Sequence, residues 1–272
     1  MEDLSQHISS LFSTWQSSFK FEFTAQFICF FLVDVILSPS SKNWYCNEYR
    51  GQLRYKSFNK LILEFVIGAH LALFSACTLT YFHHLVRNGL IDIHYDLPSL
   101  STFLWELFAF FFFIDFQFYW SHRFLHWSKI YHYAHKLHHR SIYLTPFSSA
   151  NFSVLEVLLQ VQSIVIILVN PFYKMHLISL EIYSILGVFH NIYSHLGVEL
   201  CPRWFYSIYP TKLLVTSSYH EFHHFSPKYN FSLYLTYLDR IFHTIGPNFD
   251  KSFYARWNSP MGTESKSQTK TE

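Results

Sequence analysis

Apolar residues gather along this chain in long runs that shorter polar segments separate. The runs lie at about 21–38, 61–86, 103–121, 152–169 and 177–194. The first three are long enough for helices that cross a bilayer, which need roughly 17–25 residues, and Asn170 and Pro171 separate the last two. The pattern predicts an all-α, polytopic membrane protein with four to five membrane helices. The last two runs could form either a membrane hairpin that turns at Asn170 or a pair of re-entrant helices that do not cross.

Composition supports a membrane protein. Half of the 272 residues are apolar, 21% are aromatic and 14% are charged, whereas a soluble domain has roughly 25% charged residues. The net charge of +2 gives no basis for a nucleic-acid partner. The four cysteines form no C-x-x-C pair, which excludes the usual zinc-ribbon and redox motifs.

Flanking charges orient the first helices. Lysines and arginines concentrate in residues 39–60 and after residue 121, whereas residues 87–102 carry Asp92, Asp96 and few cations. Because cationic loops remain in the cytosol, residues 39–60 and the chain after residue 121 are predicted to be cytosolic. The expected location is the endoplasmic reticulum membrane in a eukaryote, or the inner membrane in a bacterium.

The chain divides into three predicted regions. Residues 1–100 form an N-terminal segment with two transmembrane helices, and residues 101–250 form the domain that carries most of the candidate chemistry. Residues 251–272 form a C-terminal tail whose polar composition is typical of disorder.

Histidines recur in three short clusters after the third apolar run. They are His122 and His126, then His135, His138 and His139, then His220, His223 and His224. Residues three or four apart share one face of a helix, so each cluster can direct its imidazoles to one point. The eight imidazoles are more than the roughly four to six donors that one metal ion takes, but they are enough for two ions. The clusters therefore predict a dinuclear metal centre in a helical, histidine-rich cap on the cytosolic face.

Two features of this candidate centre remain open at the level of sequence. Asp115 lies two helical turns before His122 and is expected either to accept the second N–H of a ligand or to form a buried hydrogen bond between helices. Imidazole suits iron, zinc and copper alike. The lack of cysteine ligands and the number of histidines beside a membrane favour redox-active iron, which would activate O2 against an unactivated C–H bond.

Two other functions compete with this interpretation. His220, Glu221 and His224 satisfy the H-E-x-x-H signature of a zinc metalloprotease, with Glu221 as the general base. That interpretation uses only two of the motif histidines. A metal-binding transporter or sensor is the non-enzymatic alternative, and it would need a polar path through the membrane.

The same residues resemble the fatty acid hydroxylase/sterol desaturase superfamily. The resemblance lies in Asp115–His126, His135–His139, Thr145–Ser148, His220–His224, Tyr229–Phe231 and Leu238–Phe242, and it extends over roughly residues 105–246. It implies a catalytic domain over residues 101–250 and a membrane-bound di-iron oxygenase that hydroxylates or desaturates a sterol or fatty acyl lipid. It also implies O2 as co-substrate and electrons from a cytochrome b5-type or comparable donor.

The resemblance assigns individual histidines as well. The eight motif histidines correspond to metal ligands, and His195 corresponds to a further ligand between the second and third motifs. His190 is a weaker candidate. Neither the choice between hydroxylation and desaturation nor the substrate follows from these motifs.

Overall fold

The structure is a computed structural model, and only part of the chain is described by it. The described residues are 91–160 except 143 and 145, 173–197, 199–200, 204–205, 208–209 and 213–250, with isolated positions between 24 and 89. The predicted helices near 21–38 and 61–86, the turn at 170–171 and the tail at 251–272 lie outside them, apart from those isolated positions. The number of membrane crossings, their orientation and the domain boundaries therefore stay predictions.

Helix α1 spans Leu100–Leu125 and dominates the fold. Ser99 caps its start, because the hydroxyl oxygen accepts the backbone N–H of Thr102 at 3.1 Å. Within the described part of the chain, α1 is the one helix whose length and composition suit a membrane crossing. One face is exposed and apolar, with Leu104 and Phe108 among its residues, and the opposite face packs into the protein.

Short helical segments follow α1. They are α2 (Ser128–Ala134), 3-10 turns at His138–Arg140 and Pro146–Ala150, helical residues 154–160, α3 (Leu177–Ser194), α4 (Ser217–Phe225) and α5 (Tyr237–Ile241). No strand occurs among the described residues, where pairing is limited to two isolated β-bridges, so the predicted helical class is confirmed for this part of the chain. The second histidine cluster departs from the expected single helix, since α2 ends before His135 and His138 begins a 3-10 turn.

The core joins α1 to α3 and to the segment before α5. Phe110 of α1 stacks on Tyr183 of α3 with 4.8 Å between ring centroids, and Phe111 meets Tyr234 edge to face at 4.9 Å. Such aromatic pairs add roughly 0.5–1.5 kcal/mol each beyond the area they bury. This packing holds the middle of α1 beside α3 and the segment that precedes α5.

Candidate metal centre

All nine candidate histidines lie together in two neighbouring groups. In each group the ring nitrogens that face inward lie within 4.8 Å of one another. The five-histidine group contains His122, His126, His135, His139 and His223, and the four-histidine group contains His138, His195, His220 and His224. Eight of the nine side chains are buried, and His126 is partly buried.

Two of the sequence motifs are divided between the groups. The change from α2 to a 3-10 turn sends His135 and His139 to the five-histidine group and His138 to the other. On α4, His223 lies about 100° around the helix from its neighbour His224, so adjacent rings serve different groups. The motif spacing predicted convergence, but it did not predict this division.

The separations between ring nitrogens suit a shared metal ion. In the five-histidine group, Nε2 of His122 lies 3.0 Å from that of His135, and Nε2 of His126 lies 3.1 Å from that of His223. In the four-histidine group, Nε2 of His220 lies 3.1 Å from that of His195 and 3.1 Å from that of His224. Two nitrogens bound at a right angle to one ion, each about 2.0–2.1 Å from it, would lie roughly 3 Å apart.

Backbone carbonyls determine the tautomer of three of these rings. The Nδ1 atoms of His122, His195 and His223 lie 2.9, 2.8 and 2.6 Å from the carbonyl oxygens of Phe231, Asn191 and Tyr229, respectively. A carbonyl oxygen only accepts hydrogen bonds, so each Nδ1 carries the hydrogen and each Nε2 presents a lone pair. Each of these lone pairs faces the Nε2 of another histidine at about 3 Å, and a cation shared by the nitrogens of one group would satisfy them, so the donor set fits a metal ion in each group.

A buried acidic side chain lies beside the five-histidine group. Oε1 of Glu156 lies 2.9 Å from Nδ1 of His135, at ion-pair distance without the alignment of a strong hydrogen bond, and both side chains are inaccessible. Carboxylates that contact metal-bound imidazoles orient the ring and strengthen it as a donor. Glu156 is not among the site residues predicted from the sequence, although an acidic residue inside an apolar run is a signal that points to it.

Burial keeps the grouped imidazoles neutral. Desolvation lowers the pKa of His139 to about 3 and that of His195 to about 4. Desolvation, followed by repulsion from neighbouring imidazoles, also holds the pKa values of His126 and His223 below the ordinary range. Neutral imidazole is the form that binds a metal ion, so the protein prepares these rings for ligation.

Asp115 contacts the segment before α5, and its role beside a metal ligand stays a prediction. Its Oδ1 accepts the backbone N–H groups of Tyr234 at 2.8 Å and Leu235 at 3.4 Å, while Nδ1 of His122 faces Phe231. Seven residues of helix separate Asp115 from His122 by about 10 Å along the axis, which is too far for a direct contact. The alternative prediction, a buried hydrogen bond between helices, agrees better with these contacts, although the partner is a loop and not another helix.

The other histidines that the structure describes lie outside the two groups. Nε2 of His190 donates to the carbonyl oxygen of Leu233 at 2.7 Å, so the weaker ligand candidate does not join either group. His94, Asp96 and His176 form a separate cluster toward the start of α1. The rings of His94 and His176 stack at 4.9 Å there, and Nδ1 of His176 lies 2.8 Å from Oε1 of Glu106.

The fold and the site together define a helical protein with two adjoining groups of buried imidazoles. Comparison with known proteins identifies its family. The model of the fatty acid hydroxylase family matches residues 107–244, and the chain belongs to that family. The resemblance inferred from the motifs is therefore confirmed.

Curated relatives share this region. The chain is 29% identical over 155 residues (56% of the chain, 25% of the relative) to a very-long-chain aldehyde decarbonylase of Oryza sativa subsp. indica. It is 30% identical over 152 residues (54% and 49%) to a C-4 methylsterol oxidase of Schizosaccharomyces pombe. It is 31% identical over 152 residues (56% and 39%) to a Delta(7)-sterol 5(6)-desaturase of Saccharomyces cerevisiae. The chain thus spans between a quarter and a half of these relatives' lengths, and no solved structure matches it.

Proposed function

We propose that this protein is a membrane-bound di-iron oxidoreductase that uses O2 and electrons from a redox partner to hydroxylate or desaturate a sterol or fatty acyl lipid. The observation that carries the proposal is the pair of adjoining, buried histidine groups, in which Nε2 atoms face one another at 3.0–3.2 Å. The names of the relatives support a lipid substrate, since they describe oxidation or desaturation of sterols and conversion of long-chain aldehydes.

Each group would hold one iron ion. The five-histidine group would bind the first and the four-histidine group the second, and the pair would supply the redox chemistry that activates O2. The protein's own contribution is ligation, orientation and exclusion of water. Phe231 serves the last role, because its ring packs edge-on against His122, His126 and His223 at centroid distances of 5.8, 5.3 and 5.6 Å.

Substrate access would follow helix α1. Its exposed apolar face leads from Leu104 toward Trp120 and Phe124, close to His122 and His126 at the C-terminal end of the helix. In a bilayer this face would contact lipid, and a substrate that enters from the membrane would meet the histidines near the interface. We further propose a multi-pass protein with its metal centre on the cytosolic face, where a cytochrome b5-type or other donor supplies electrons.

The metalloprotease alternative fits the geometry less well. His220 and His224 share the four-histidine group with His138 and His195, which leaves the whole five-histidine group without a role in peptide hydrolysis. A metal transporter or sensor would use both groups but would not convert a lipid. Lipid turnover therefore separates the proposed enzyme from both alternatives.

The test is lipid mass spectrometry of cells that express the protein under ordinary and heavy-isotope O2. We expect a lipid that either gains one labelled oxygen atom or loses two mass units. His138→Ala, which removes a proposed ligand, should abolish the product and reduce the iron content, whereas His132→Ala, on the exposed face of α2, should change neither. Product formation by iron-free protein, or by His138→Ala at the normal rate, would refute the proposal.

A further inference from the structure

The segment 229–235, here called the carbonyl shelf, supplies the acceptors for three histidine rings. Every second carbonyl oxygen takes part. Tyr229, Phe231 and Leu233 accept from His223 at 2.6 Å, His122 at 2.9 Å and His190 at 2.7 Å, respectively. The shelf therefore orients two rings of the five-histidine group and one ring outside both groups.

Each of these carbonyls belongs to a peptide plane whose N–H group is held from the opposite side. The Phe231 carbonyl shares its plane with the N–H of Ser232, which donates to Oδ2 of Asp239 at 2.7 Å. The Leu233 carbonyl shares its plane with the N–H of Tyr234, which donates to Oδ1 of Asp115 at 2.8 Å. Because a peptide unit is planar and rigid, the partner of the N–H determines where the carbonyl oxygen points.

The third plane follows the same arrangement with a neutral partner. The Tyr229 carbonyl shares its plane with the N–H of Asn230, which donates to the backbone oxygen of Thr244 at 2.8 Å. Asn230 has φ of 60°, and its side chain bonds to Gly246 and Tyr219. Of the three peptide planes, only the 231–232 plane connects a carboxylate, that of Asp239, to a ring of one of the two histidine groups, that of His122.

Asp239 is buried and fully hydrogen-bonded at this position. Its carboxylate is inaccessible to solvent and accepts four hydrogen bonds at 2.6–3.0 Å from Phe231 N, Ser232 N, Tyr219 Oη and Thr244 Oγ1. Hydrogen bonds to an ionised acceptor are roughly twice as strong as neutral ones, and bonds in a chain polarise one another. The charge of Asp239 therefore makes the Phe231 carbonyl a stronger acceptor for the N–H of His122.

We infer that Asp239 is a positioning residue for the five-histidine group, which it serves by orienting His122 through the 231–232 peptide plane. The inference rests on the proposed metal centre. It extends the familiar carboxylate–histidine–metal arrangement by one peptide unit. The rings of the four-histidine group do not donate to the shelf carbonyls, and His195 is oriented by the carbonyl of Asn191 within its own helix. Loss of the Asp239 charge should therefore weaken one of the two metal sites and leave the other intact.

The test compares Asp239→Asn with the wild-type full-length chain after loading with Fe²⁺ or Co²⁺. Metal ions per chain, the rate of their release to a chelator and the Co²⁺ absorption spectrum are measured. We expect Asp239→Asn to release one ion about 10-fold faster, with altered Co²⁺ bands, and the other ion at the wild-type rate. An unchanged rate for both ions, or equal acceleration of both, would overturn the inference.

Asp115→Asn is the matched control, because it makes the same substitution under the same shelf. That carboxylate is also inaccessible, but its peptide plane leads to His190 and not to a metal group. Its thermal stability should fall as in Asp239→Asn, while both ions leave at wild-type rates. If Asp115→Asn releases one ion as fast as Asp239→Asn does, general loosening of the shelf explains the effect and the inference fails.

Two further outcomes keep the inference separable from the proposed function. If the wild-type protein binds no ion, the metal centre itself is refuted. If Asp239→Asn yields no folded protein, Asp239→Glu replaces it, because it keeps the charge while displacing the carboxylate by one methylene. That variant should still release one ion faster than the wild type, and wild-type release of both ions would overturn the inference.

Discussion

Single residues around the histidines decide how strongly each ring can donate to a metal ion. Three rings donate their N–H to neutral carbonyl oxygens, whereas His135 has the carboxylate of Glu156 beside its Nδ1. An ionised carboxylate at that atom would strengthen the ring's Nε2 as a donor to a metal ion more than a carbonyl does. His135 is thus expected to be a strong ligand of the five-histidine group.

Glu156→Gln tests this role, since it keeps the size of the side chain and removes its ability to ionise. Metal affinity of the five-histidine group should fall about 10- to 100-fold. Competition with a chelator, followed by metal analysis, measures the change. Glu181→Gln on the exposed face of α3 is the control and should leave affinity unchanged. Equal affinities for Glu156→Gln and the wild type would show that the carboxylate has no influence on the site.

At the scale of elements, helix ends and close approaches distribute the histidines. The end of α2 at Ala134 separates His135 from His138, and α4 presents its three histidines to both groups. Gly246 permits the position of α4, because a Cβ atom there would overlap the ring of Phe222. The backbone N–H of Gly246 also donates to Oδ1 of Asn230 at 2.9 Å, which ties this approach to the carbonyl shelf.

Gly246→Ala should therefore displace Phe222 and, with it, the histidines of α4. We expect the free energy of unfolding to fall by about 1–3 kcal/mol, as in other overpacked sites, together with a lower metal content. Denaturant unfolding and metal analysis measure the two effects. Phe222→Leu, combined with Gly246→Ala, should recover part of the loss by opening space for the added methyl group. A double variant no more stable than Gly246→Ala would contradict this explanation.

At the scale of the whole molecule, the buried imidazoles make stability depend on pH. Burial lowers the pKa of His139 to about 3 and that of His195 to about 4 in the folded protein, whereas an unfolded chain has imidazole pKa values of about 6.5. Between these values the unfolded chain binds more protons than the folded one, so stability rises with pH.

The free energy of unfolding should accordingly be constant above about pH 7 and should fall as the pH drops below about 6.5. Metal release should follow the same direction, because protonated imidazole does not bind a cation. Thermal unfolding and metal retention between about pH 4 and pH 8 would measure both effects. Stability that increases as the pH falls through this window would show that the rings are not buried in neutral form.

Local patterns were sufficient to predict α1, the helical class, the family and the set of histidines that the structure brings together. The apolar run at 103–121 lies inside Leu100–Leu125, and the three histidine motifs converge from spacing alone. These features depend on residues a few positions apart, where helix periodicity determines which side chains share a face.

Tertiary structure decided which histidine joins which group, where Asp115 binds, and that Glu156 and Asp239 lie beside the site. The orientation of His122 depends on a carbonyl 109 residues away in the chain, and the partner of Asp115 lies 119 residues away. Spacing along the chain cannot report such contacts, because a buried polar group bonds to whatever donor or acceptor the packed fold brings within reach.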